Sequence, residues 1–193
     1  IGADGLGEYL QSELSALERD CSGGKMRPNF PPTIITIATT EDRLSKGIDF
    51  INHHQGLDDV DSTGILLPVC YSYSLINQLL WAIYFEKKVY INNTIMGPFE
   101  PFKYLDRHKT EMVCMVSAQI GLITKIDYST MPTLPNVKIV NFAGSPFPLA
   151  NLGDLKKLFP NAKFLNNYGC TEAMPRLTLR EVESADDDVS NVG

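Results

Sequence analysis

Cysteine, histidine, tryptophan and positive charge are all scarce in this chain, and each scarcity removes a class of chemistry. Its 193 residues hold four cysteines, three histidines and one tryptophan. Cys21, Cys70, Cys114 and Cys170 stand far apart with no C-x-x-C spacing, which argues against a structural zinc site. Reduced thiols in a cytoplasmic protein are the expected state. Cys170 has no histidine near it in sequence, so it is not read as a nucleophile. His53 and His54 fall near the end of a predicted helix and read as a polar cap rather than a metal site. Seventeen basic residues against 23 acidic ones leave a net charge of −6, which argues against nonspecific nucleic-acid binding. No apolar run approaches a membrane span. No basic region followed by an apolar core opens the chain, so no signal peptide is visible. The first residue is Ile1 rather than methionine, which leaves room for a preceding segment. Repeats and low-complexity tracts are also lacking.

What remains is ordinary globular material, 44% hydrophobic and 21% charged, long enough to bury a core in one or two domains. Residues 8–19 carry Leu10, Leu14 and Leu17 at helical spacing. Residues 21–32 are rich in Gly, Pro and polar side chains and read as a linker. An N-terminal helix and linker are therefore expected over 1–32, and a main domain over 33–193. Within the latter, strands are expected at 33–40, 65–69, 88–91, 112–116 and 137–142, and helices at 41–55, 75–85, 101–108, 118–126 and 149–159. Strands alternating with helices imply an α/β fold whose parallel-rich sheet is flanked by helices. Ligands of such sheets sit at the carboxyl ends of the strands. The acidic stretch at 181–191 reads as a solvated loop.

The most informative segment is Asn166-Asn167-Tyr168-Gly169-Cys170-Thr171-Glu172-Ala173. It follows Ala162-Lys163-Phe164-Leu165, which reads as the end of a strand. Tyr168 offers a flat face to a base. Gly169 lets the backbone come close to a ligand. The Thr171 hydroxyl can bond a phosphate oxygen, and Glu172 can hold magnesium through a hard oxygen ligand. Taken alone, the same residues also describe a plain turn with an ordinary tyrosine and a solvated glutamate.

The pattern Y-G-x-T-E over residues 168–172 resembles the signature loop of the adenylate-forming enzymes, which include acyl-CoA synthetases, aryl-CoA ligases, peptide-synthetase adenylation domains and luciferases. Two upstream segments are similar to further family motifs. One is a strand ending in a small-residue turn, Val137 to Phe142 and then Ala143-Gly144-Ser145-Pro146. The other is Pro68-Val69-Cys70-Tyr71-Ser72-Tyr73-Ser74-Leu75, a proline and an aromatic ahead of an apolar helix. Tyr71 stands where many acyl-CoA synthetases have histidine. The resemblance covers about 33–193 and implies the central part of a large N-terminal domain. It implies ATP-dependent activation of a carboxylic acid to an acyl-adenylate, then thioester formation with CoA or with the phosphopantetheine of a carrier protein, as in an acid–thiol ligase. In that reading Thr171 and Glu172 are catalytic, and Glu172 holds Mg2+. Gly144, Ser145, Pro146, Asn167, Tyr168, Gly169, Cys170 and Thr171 surround the nucleotide. Tyr71, Asn141 and Phe142 line the acid pocket. The rival reading is a non-catalytic nucleotide-binding or regulatory protein of the same fold.

One family feature is missing where the resemblance places it. A Ser/Thr/Gly-rich loop with a lysine normally cradles the triphosphate after a strand like Thr33-Ile34-Ile35-Thr36-Ile37. Here Ala38-Thr39-Thr40 runs into Glu41 with neither glycine nor lysine. Either the loop has been lost, or Thr40 and Glu41 are not true neighbours; the strand-like 33–40 favours the second. The resemblance also places a ribose-binding aspartate and a lysine-bearing mobile domain beyond Val192-Gly193, so these 193 residues alone are expected to form no acyl-adenylate.

Overall fold

The computed structural model describes residues 39–92, 99–123, 133–171 and 176–188. The calls at 1–32 and on strand 33–38 lie outside those residues. So does Glu172.

Thr40 caps the first helix. Its Oγ1 accepts from Arg43 N at 3.3 Å and its carbonyl from Leu44 N at 3.0 Å. Helix α1, Glu41–Gln55, begins at once, with Glu41 and Asp42 in its first turn where the helix dipole favours acids. Gly56 ends α1 in the left-handed conformation, φ 64°.

Six strands form one sheet in the order β2-β1-β3-β4-β5-β6. They are β1 Ser62–Ile65, β2 Lys88–Ile91, β3 Met112–Met115, β4 Ile139–Phe142, β5 Lys163–Tyr168 and β6 Thr178–Glu181. The first five are parallel, in registers such as Met112↔Ile139 and Phe142↔Asn166. Strand β6 runs antiparallel to β5, with Asn167 opposite Leu179. Residues 178–181 were not expected to form a strand, and Glu181 belongs to it rather than to a solvated loop. Polar and charged side chains hid it, because an edge strand has one face and one flank in water. Strand β1 also lies earlier than the expected 65–69. Pro68 has no N–H to give a ladder, whereas 62–65 pairs on both sides with β2 and β3.

Every residue of β1, β3 and β4 is buried, as expected when helices cover both faces of a parallel sheet. Alternation along the strands separates two cores. Met112, Ile139 and Leu165 pack with Ile48, Ile51, Ile76 and Trp81 on one side. Val113, Met115, Val140, Phe142 and Phe164 pack with Phe102, Leu105, Leu152 and Phe159 on the other. The first side is covered by α1 and by α2, which runs through Ser72–Ser74, a π-helical stretch Leu75–Leu80, and Trp81–Tyr84. The second is covered by α3, Glu100–Arg107, and by α5, Leu152–Leu158, which follows a 3-10 turn at Leu149–Asn151. Helix α4, Ser117–Ile123, follows β3.

The wide turns of the π stretch carry two buried amides. Gln78 Nε2 donates to Thr63 Oγ1 and to Gly64 O, each at 2.8 Å, and Asn77 Nδ2 donates to Tyr73 O at 2.8 Å. The two Gln78 bonds tie α2 to β1 and hold the helix start at the carboxyl end of the sheet. On the opposite face a Cβ at Gly64 would collide with Leu105, so α3 approaches β1 only because a glycine stands there.

Candidate functional site

Strands β4 and β5 are parallel neighbours, so their carboxyl ends leave the sheet side by side. Beyond β4 comes the turn 143–146. Gly144 adopts φ 88°, a conformation that costs glycine little and other residues more. A Cβ there would lie 3.6 Å from the Tyr71 hydroxyl. Ser117, the first residue of α4, pins the turn: Ser145 Oγ donates to Ser117 Oγ at 2.6 Å, and Ser117 Oγ donates to Pro146 O at 3.2 Å. Beyond β5 come Gly169, Cys170 and Thr171, all exposed. The third wall is the start of α2. Tyr71 N and Ser74 Oγ both donate to Pro68 O, at 3.0 and 2.6 Å, which closes a tight turn and presents Tyr71 at the helix entrance.

These three walls enclose one cavity. Tyr71, Ser72, Tyr73, Ala143, Gly144, Gly169, Cys170, Thr171 and Arg176 line it. Ser72 Oγ and Thr171 Oγ1 are 2.8 Å apart, so the helix start and the loop after β5 are bonded across it. The structure therefore brings together Tyr71, Gly144, Gly169, Cys170 and Thr171 from among the residues singled out in the sequence. Ser145 and Pro146 continue the same turn. Tyr168 ends β5 beside the cavity with 55% of its surface exposed.

Asn141, Phe142 and Asn167 are placed elsewhere. The expectation that Phe142 lines an acid pocket is corrected: it is 1% exposed, in the core on the α3/α5 side, edge-on to Phe147 with ring centroids 4.6 Å apart. Asn141 and Asn167 are buried in a relay on the α1 side. Asn141 Nδ2 donates to Gln55 Oε1 at 2.9 Å, and Asn167 Nδ2 to Asn141 Oδ1 at 3.0 Å. Side-chain period decides this: 141 and 142 point to opposite faces, and neither faces the sheet end. Strand β5 also continues to Tyr168 rather than ending near Leu165, so Asn167 spends its amide inside the fold.

Sequence reasoning missed Ser72, Tyr73 and Arg176. Arg176 is 7% exposed, a rare state for a charged side chain. Its Nη2 donates to Asn77 Oδ1 at 2.7 Å, and its guanidinium carbon lies 5.3 Å from the Tyr73 ring centroid, a cation–π contact. Arg176 Nε and the Tyr73 hydroxyl are both buried without a hydrogen-bond partner. The local signal was a charge set between Pro175 and Leu177. Burial lowers the Arg176 pKa and raises that of Tyr73 well above the usual phenol value; Cys114 adds to the rise and Arg176 opposes it. Burial likewise pushes the Cys114 thiol up to about 12, against the pull of Arg176. Iodoacetamide at pH 8 is therefore expected to modify exposed Cys70 and Cys170 in the native protein and to spare buried Cys114. Peptide mass spectrometry reads the three sites, and modification of Cys114 at the rate of Cys170 would contradict its burial. Among the described residues no group of three or more His, Cys, Asp or Glu side chains could hold a metal ion.

A family model described as AMP-binding enzyme matches residues 38–193. Solved structures share the fold. O-succinylbenzoate coenzyme A synthetase (MenE) from Bacillus subtilis, in complex with ATP and magnesium ion, superposes with a TM-score of 0.63 at 17% identity over 75% of this chain and 29% of that one. The Vibrio cholerae adenylation domain AlmE, in complex with glycyl-adenosine-5'-phosphate, gives 0.66 at 17% identity over 78% and 28%. VinN in complex with L-aspartate gives 0.63 at 18% identity over 89% and 46%. The chain thus spans less than half the length of these structures. No curated protein matches the sequence.

Proposed function

This chain belongs to the AMP-binding enzyme family, and on that premise we propose that it supplies the nucleotide- and acid-binding face of an enzyme that activates a carboxylic acid with ATP. The observation that carries the reading is the single cavity shared by the turn after β4, the loop after β5 and the start of α2. Its rim and immediate border have what an adenylate needs: a small-residue turn, a glycine, a hydroxyl, exposed Tyr71, and Tyr168 beside it. A carboxylate oxygen of the acid attacks the α-phosphorus of ATP. The new P–O bond forms as the bond to the bridging oxygen breaks, and pyrophosphate leaves with the electron pair. No protein atom joins covalently; the chain's task is positioning and charge stabilisation.

Thr171, bonded to Ser72, offers its hydroxyl to the α-phosphate. Tyr168 and the 144–146 turn flank the adenine. Tyr71 closes the side where the acid carboxylate enters. Magnesium travels with ATP and needs few protein ligands; Glu172, next to Thr171 in sequence, is the residue assigned to it, where the ion would offset phosphate charge. The acyl group would then pass to a thiol of CoA or of a carrier protein. The cytoplasm, where ATP and such thiols occur together, is the proposed location.

Titration with ATP by calorimetry tests the nucleotide site. Saturable binding is expected, weakened about 10-fold or more by Tyr168→Ala through lost base stacking. No binding of ATP by the native protein would remove the nucleotide reading. Acid-dependent exchange of labelled pyrophosphate into ATP separates the enzyme from a non-catalytic nucleotide-binding protein of the same fold. The 193 residues alone are expected to bind ATP without exchange, since no lysine-bearing loop stands between Thr33 and Glu41.

A further inference from the structure

The cavity has an exposed rim and a buried floor. Tyr71, Gly144, Gly169, Cys170 and Thr171 are exposed, whereas Tyr73 and Arg176 are buried. Arg176 is the one charged side chain among the described lining residues. Among the described residues it forms no ion pair. The Asn77 amide takes one of its N–H groups, and that amide is neutral. A guanidinium has five N–H donors in a planar fork, and Nε is left over. A buried charge left in this state is costly unless an anion meets it. The Tyr73 hydroxyl, buried in the same wall, makes no close hydrogen bond either; its neighbours there are the Cys114 thiol and the Arg176 guanidinium itself. Two residues with buried polar atoms lacking a close partner, one of them cationic, therefore line the floor of a cavity whose rim faces the nucleotide loop.

We propose that Arg176 anchors a second anionic group of the substrate, so that the acid taken by this site is a dicarboxylic acid whose remote carboxylate docks on the buried guanidinium. This rests on the acid-binding reading above. The reacting carboxylate must lie at the rim, against Thr171 and the phosphate it holds. The group that reaches the floor is then the far end of the same molecule. A carboxylate fits there for three reasons. Its two oxygens match the guanidinium fork, its charge neutralises Arg176, and it can accept from the Tyr73 hydroxyl. Asn77, held by its bond to Tyr73 O, keeps the guanidinium from turning away. An apolar tail at the same place would leave both groups unpaired, so the site rejects monocarboxylic acids of equal length.

The test compares succinate, glutarate and adipate with butyrate, valerate and caproate, in which a methyl group replaces the remote carboxylate. Binding to the protein is followed by calorimetry without ATP, and pyrophosphate exchange is measured with the same acids in a preparation of the protein that supports exchange. One dicarboxylate should bind at least about 10-fold tighter than its partner acid. Arg176→Gln should abolish that preference, and Arg176→Lys should keep part of it by retaining charge without the fork. Melting of each variant shows whether it is folded, and if a variant is not, the comparison of acids on the unaltered protein still decides. Equal binding of each pair, absence of binding by all six, or a preference that survives Arg176→Gln overturns the proposal; the last would mean that a group other than Arg176 reads the remote carboxylate. Exchange supported equally by monocarboxylates would sink the proposal and leave acid activation standing. Arg176-dependent dicarboxylate binding with no ATP binding would do the reverse.

Discussion

Glu172→Ala should lower acid-dependent pyrophosphate exchange by about 100-fold or more, in a preparation of the protein that supports exchange. Glu172 directly follows Thr171, the loop residue whose hydroxyl faces Ser72 across the cavity. No second carboxylate stands between Gly144 and Thr171 except Asp154, which sits on α5 and pairs with Lys157. Nothing nearby in the loop can replace the lost ligand. The loss should appear in kcat more than in the KM for the acid, because phosphate charge is redistributed as the α-phosphorus is attacked. Raised magnesium should recover part of the rate. Exchange unchanged by the substitution, measured at saturating acid, would take Glu172 out of the site. Thr171→Val gives a second reading. It removes both the hydroxyl offered to the phosphate and the 2.8 Å bond to Ser72, and it should reduce exchange without changing the melting temperature much, since Thr171 is exposed.

The largest expected loss of stability follows Trp81→Ala. Trp81 is fully buried, packs among Ile48, Ile51 and Leu57, and donates Nε1 to Asn52 Oδ1 at 3.0 Å. It is therefore the largest side chain with which α2 packs α1 against the sheet. Truncation removes a large apolar surface and leaves a cavity, a loss of about 3–5 kcal/mol for a buried tryptophan. That is a large share of the 5–15 kcal/mol typical of a whole domain. Urea denaturation followed by circular dichroism should show a much lower midpoint. Trp81→Phe should recover much of the packing and only fail to satisfy Asn52, which keeps its bond to Asp58 at 2.7 Å. A midpoint for Trp81→Ala close to that of the unaltered protein would show that α1 and α2 are held by something else.

The order of strands and helices, and the position of the loop after β5, were legible along the chain. They rest on short-range physics: apolar runs for buried parallel strands at 112–115 and 139–142, helical spacing for 41–55, and a glycine followed by polar residues at 168–172. Boundaries shifted where local preference met pairing, as at β1, which ends before Pro68 gives its carbonyl to Tyr71 and Ser74. Strand β6 was hidden because an edge strand needs no apolar run. The tertiary structure alone decided which polar residues face the cavity. It sent Asn141 and Asn167 into a buried relay and Phe142 into the opposite core, because strand alternation assigns each residue to a face and only the packed helices say what covers that face. It also joined Ser72 to Thr171 and Asn77 to Arg176, two contacts each spanning 99 positions. No local spacing encodes such a pair. Both arise because the sheet sets the start of α2 beside the segment that follows β5, and that adjacency places on the cavity floor a guanidinium with no ion pair among the described residues.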